Sequence, residues 1–139
     1  MHDSLIIGVR AEPGYVIITA AGEIDIFTVA RLREELFTLA GDGRPLIADL
    51  DRVTFLGAAG LGALAGAARR AAARGASLHL VCARPQSRQL LQLTGLDRTL
   101  RLARTRDEAI QALPAAPDPA ARPPRPVPAP IGGDDDDDD

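Results

Sequence analysis

Lysine and tryptophan are absent from this chain, and cysteine and methionine occur once each. Without a lysine ammonium there is no P-loop and no Schiff-base nucleophile. The single Cys82 excludes an intrachain disulfide and a four-cysteine zinc site. Two histidines, His2 and His79, are too few and too far apart for a histidine metal centre. Aromatics make up 3% of residues, namely Tyr15, Phe27, Phe37 and Phe55, too few for the stacking platforms on which single-stranded nucleic-acid binding depends. No apolar run approaches the roughly 18 residues of a membrane span. The start Met1-His2-Asp3-Ser4 has neither the basic flank nor the apolar stretch of a signal peptide, so a cytoplasmic protein is expected.

What is present divides the chain in two. The formal charge of −3 over 139 residues hides opposite contributions. Residues 1–113 carry 14 Arg against 12 Asp and Glu, a surplus of +2, whereas residues 114–139 carry Arg122 and Arg125 against seven aspartates, a deficit of −5. Eight of the 17 residues from Pro114 to Pro130 are proline, and six consecutive aspartates, Asp134–Asp139, follow. Such a composition sustains neither helix nor ladder, so residues 1–113 read as one folded domain and 114–139 as a disordered tail.

Within the domain the apolar period changes repeatedly. Residues 5–9 and 15–20 read as strands joined around Glu12-Pro13-Gly14. From Thr28 the period becomes helical, with Val29, Leu32, Leu36 and Leu39 on one face. Residues 45–50 form an almost wholly apolar strand, as at the centre of a sheet, and residues 51–57 read as a connector. A helix follows over 58–74, a strand over 77–82, a short helix over 87–94, a brief strand over 100–102 and a closing helix over 105–113. His79, between Leu78 and Leu80, is expected to face away from them towards water or a helix edge, and Cys82 to be a buried, inert thiol. A hairpin followed by helix–strand alternation is an α/β single domain: a mixed β-sheet with helices packed against it through right-handed crossovers.

Two places break the local rules. Gly60, Gly62 and Gly66 lie in one predicted helix, where each costs about 0.8–1 kcal/mol relative to alanine, so a close approach on that face is expected, from within the domain or from a partner. Glu23 and Asp25 end a strand just before a helix start, where a carboxylate caps well. In order, Gly22-Glu23-Ile24-Asp25-x-x-Thr28, a strand ending at Leu50, and Val53-Thr54-Phe55-Leu56-Gly57-Ala58-Ala59-Gly60-Leu61 resemble the STAS domain, in particular the bacterial anti-sigma factor antagonists. The strand at Leu78–Cys82 and the helix end Leu90–Leu96 match in register.

That resemblance implies partner switching. The unphosphorylated antagonist binds an anti-sigma factor, a serine kinase of GHKL type, and frees a sigma factor; phosphorylation at the start of the second helix ends the complex. The family's acidic–Ser–Ser–Gly–Leu pattern falls on Gly57, Ala58, Ala59, Gly60 and Leu61, so the phosphoacceptor-equivalent position is Ala58, which cannot take up the phosphate charge. The expected partner-binding residues are Glu23, Asp25, Thr28, Gly57, Ala58, Ala59, Gly60 and Leu61. No catalytic residue, metal or cofactor is expected, and neither nucleic acid nor membrane as a partner; a homodimer is left open. The alternatives are a STAS-fold scaffold or accessory subunit that binds another protein, and a weak nucleotide- or anion-binding domain at the Gly57-x-x-Gly60-x-Gly62 helix start.

Overall fold

Short runs of Leu, Ile and Val build a hairpin from β1 (Leu5–Glu12) and β2 (Tyr15–Ile24), which turns at Pro13-Gly14 with Gly14 at φ 89°. The two strands run antiparallel from Leu5 opposite Gly22 to Glu12 opposite Tyr15. The chain then proceeds through α1 (Val29–Ala40), β3 (Leu46–Leu56), α2 (Ala58–Ala73), β4 (Leu78–Val81), α3 (Pro85–Leu93), a 3₁₀ turn, β5 (Arg101–Ala103) and α4 (Arg106–Gln111). The computed structural model describes residues 4–114. The tail expected from residue 114 onward lies, apart from Pro114 itself, outside the described residues.

The sheet order is β1-β2-β3-β4-β5, with β2 to β5 parallel and β1 antiparallel at one edge, so the expected mixed sheet is what forms. One face, carrying Leu5, Ile18, Leu46, Ala48, Leu78 and Leu80, packs on the apolar sides of α1, α2 and α3 through Leu32, Leu36, Leu64 and Leu91. Each of these buried leucines contributes roughly 1.5–3 kcal/mol relative to exposure. The opposite face, with Ile17, Ile47, Val81 and Ala103, is covered by α4 through Ala109.

Three sequence expectations are corrected. The predicted connector at 51–57 is strand as far as Leu56, because β3 continues to pair with the end of β2. Two register shifts, between Thr19 and Ala21 and between Gly22 and Glu23, give β3 extra residues and restart its alternation. Leu50, Val53 and Leu56 are therefore buried three residues apart, a spacing that does not read as a strand. His79 does not face water: it is 1% exposed beneath the α4 layer, and its Nε2 lies 2.8 Å from Ser77 Oγ. In α1 the fourth buried position is Ala40, while Leu39 is only partly buried. Cys82 is buried, as expected.

Candidate functional site

The carboxyl ends of β2 and β3 lie side by side and launch α1 and α2. Glu23 stands opposite Phe55 and Ile24 opposite Leu56, and the Gly57 N–H donates to the Ile24 carbonyl at 3.0 Å. The two helix starts are thus neighbours, and the bulged pairing is what brings the two predicted segments, Glu23–Thr28 and Gly57–Leu61, to one end of the sheet.

The first segment is tied down by its own side chains. Asp25 Oδ1 accepts from the N–H groups of Phe27 at 2.9 Å and Thr28 at 3.0 Å. Thr28, 2% exposed, donates its hydroxyl to the Glu23 carbonyl at 2.8 Å and accepts from the Asp25 N–H at 3.0 Å. Asp25 is not the helix cap expected of it, because Thr28 stands at the N-cap of α1 and no side chain caps it; the carboxylate holds the turn that leads into the helix instead. Gly22 just upstream has φ 115°, and a Cβ there would lie 1.6 Å from the Ser4 carbonyl oxygen, so only glycine fits.

The second segment has no such tether. Gly57 is extended at φ −91° and ψ 177° and supplies no side-chain cap to α2. Ala58, the first helical residue, is exposed and Ala59 half-buried, while Gly60 and Leu61 are buried and anchor the helix start to the sheet. A Cβ at Gly60 would come within 2.6 Å of Ile24 Cγ2 and 2.7 Å of Leu56 Cδ1, and one at Gly66 within 2.7 Å of Phe37 Cζ. The close approaches expected of these two glycines are therefore internal. Gly62 differs: it is exposed, and nothing in the domain lies within 4 Å of the place its Cβ would occupy.

Of the eight residues singled out in the sequence, Glu23 and Ala58 are fully at the surface. Asp25, Gly57 and Ala59 are half-buried, and Thr28, Gly60 and Leu61 lie beneath. Sequence reasoning missed three neighbours: Ile26 (73% exposed), Phe27 (66%) and Phe55 (53%). Their signal was available, because Ile26 and Phe27 precede the buried stripe of α1 and Phe55 is flanked by inward-facing Val53 and Leu56.

The chain matches the STAS domain family over residues 7–109. It belongs to that family. It is 32% identical over 109 residues to the anti-sigma-F factor antagonist RsfB of Mycobacterium tuberculosis, covering 78% of this chain and 88% of that one. A crystal structure of an anti-sigma factor antagonist from Mycobacterium paratuberculosis superposes with a TM-score of 0.74 at 32% identity, covering 81% of this chain and 97% of that one. The Bacillus cell fate determinant SpoIIAA, solved in its phosphorylated form, gives a TM-score of 0.61 at 26% identity, over 76% of this STAS chain and 97% of that one. No helix among the described residues is long and apolar enough to cross a membrane, and no group of three or more potential metal ligands occurs among them.

Proposed function

We propose that this STAS domain is an anti-sigma factor antagonist that acts in the cytoplasm by binding. It captures a GHKL-type anti-sigma factor kinase on the surface formed by the Glu23–Thr28 turn and the Gly57–Leu61 helix start, and so releases a sigma factor. The names of its relatives support the partner class. The observation that carries the reading is the exposed Ala58 at the first position of α2, beside the Asp25–Thr28 turn. With no hydroxyl there, a kinase cannot install a charge of about −1.5 to −2 at that point, and the surface stays in its uncharged, binding form. Control of the complex then rests on the amounts of the two proteins rather than on phosphorylation at this position. The tail from residue 114 adds acidity outside the domain that binds.

The test is a pull-down of each GHKL-type anti-sigma factor encoded in the chain's own genome with the full-length protein and with Ala58→Asp and Ala58→Glu variants. A charge at position 58 is expected to weaken capture at least tenfold; equal capture removes this surface from the reading. Incubation with the bound kinase and ATP should leave α2 unmodified by mass spectrometry. Phosphate on the exposed Thr54 would mean that the switch has moved four residues upstream, into β3.

A further inference from the structure

The described residues carry six exposed large apolar side chains, and three of them, Ile26, Phe27 and Phe55, lie at one end of the sheet. The whole chain has only four aromatic residues, yet two of them stand here with more than half their surface in water. Phe55 is held in place: a Cβ on Gly57 would sit 3.0 Å from its Cε2 and 3.4 Å from its Cζ, so the ring lies against the bare Cα of Gly57. A side chain at position 57 would push that ring aside by a few tenths of an ångström. The absence of a side chain at 57 and the small methyl at 58 therefore belong with Phe55, and together they turn the helix start into an apolar platform. Across residues 23–28 and 55–61 the only charged side chains are Glu23 and Asp25, and Glu23 has no ion pair among the described residues. The platform is apolar at its centre and acidic on one side.

We infer that Phe55, with Ile26 and Phe27 just beyond the paired end of the neighbouring strand, is the anchor and specificity determinant of this surface, and that its occupant is an apolar segment of the anti-sigma factor flanked by a basic side chain that meets Glu23. This rests on the antagonist reading above and deepens it. Aromatic anchors held in position by their own protein lose little freedom on binding, and exposed apolar clusters with a charged rim are the usual form of protein docking sites. The apolar centre sets the dissociation rate, and the carboxylate sets the approach of a basic partner.

The experiment measures binding kinetics of the full-length chain against each GHKL-type anti-sigma factor of its own genome, immobilised in turn, with thermal melts of every variant. Phe55→Ser and Ile26→Ser are expected to raise the dissociation rate at least tenfold. Glu23→Arg is expected to slow association, with a smaller slope against salt. Leu93→Ser, which removes an equally exposed leucine from α3, should leave binding unchanged. Gly57→Ala should weaken binding in the presence of Phe55 and add little once Phe55 is serine, and that coupling separates the platform from a general loss of fold. Wild-type binding that Phe55→Ser and Ile26→Ser do not alter, with melts preserved, overturns this inference and leaves the antagonist reading standing. No binding of the wild type to any member of the panel overturns the antagonist reading and the inference with it.

Discussion

The two helix starts at this end of the sheet are close neighbours built in opposite ways. The start of α1 is fixed by side chains, with one carboxylate and one buried hydroxyl absorbing the free N–H and C=O groups of a four-residue turn. The start of α2 is fixed by backbone hydrogen bonding at Gly57 and by apolar packing of Gly60 and Leu61, with no side-chain cap, and its first side chain, Ala58, is exposed. The hydrogen-bonded ties of the first, Asp25 and Thr28, are therefore a wall, while the exposed side chains at both starts, Ile26, Phe27 and Ala58, form the surface. Substitutions at the wall should act on stability, and substitutions at the surface on binding.

The largest effect expected from breaking this contrast is at the wall. Thr28→Val keeps the shape but leaves the Glu23 carbonyl and the Asp25 N–H without their hydroxyl partner; a loss of about 2 kcal/mol in denaturant unfolding is expected. The opposite sign is expected at Gly62. Its Cβ position is open, so Gly62→Ala should stabilise the domain by about 1 kcal/mol, read as a higher denaturant midpoint at unchanged slope. Ala58→Asp sharpens the contrast further. A carboxylate in the first turn of α2 favours the helix dipole, so the variant should be more stable by about 0.5 kcal/mol while it binds its partner less tightly.

A smaller effect needs no substitution and arises away from both helix starts. Burial pushes the His79 imidazole below its ordinary 6.5, and the Arg101 guanidinium on the neighbouring strand adds to this. The folded state thus keeps His79 neutral where the unfolded chain takes up a proton. The stabilisation is complete above the unfolded value near 6.5 and declines as pH falls from there towards the lower folded value. A melting series from pH 7.5 to 5, compared with His79→Gln, should show a decline that the variant lacks.

The parts of this molecule legible in its sequence are those in which one pattern runs unbroken. The β-branched runs of β1 and β2 around their Pro-Gly turn and the 29–32–36 stripe of α1 announce their elements directly. The end of β3 was not legible, because two register shifts place Leu50, Val53 and Leu56 on the same side and imitate a loop. His79 was misplaced for a different reason. Alternation tells which residues share a face but not whether that face is covered, and α4 covers it from 27 residues further along the chain. At the candidate site, the two segments singled out through the family resemblance come together at one end of the sheet. The apolar platform escaped because a phenylalanine in a supposed connector and an Ile-Phe pair before a helix read as core material.

The bare start of α2 also bears on how such a protein changes over generations. Residues 58 and 59 cap nothing and hold no hydrogen bond that the fold requires, so a hydroxyl, a carboxylate or a methyl can stand at Ala58 at nearly equal stability. A change of side chain at this one position therefore needs no compensating change in the domain beneath. The scaffold leaves the side chain at position 58 a free variable, and alanine is one of its settings.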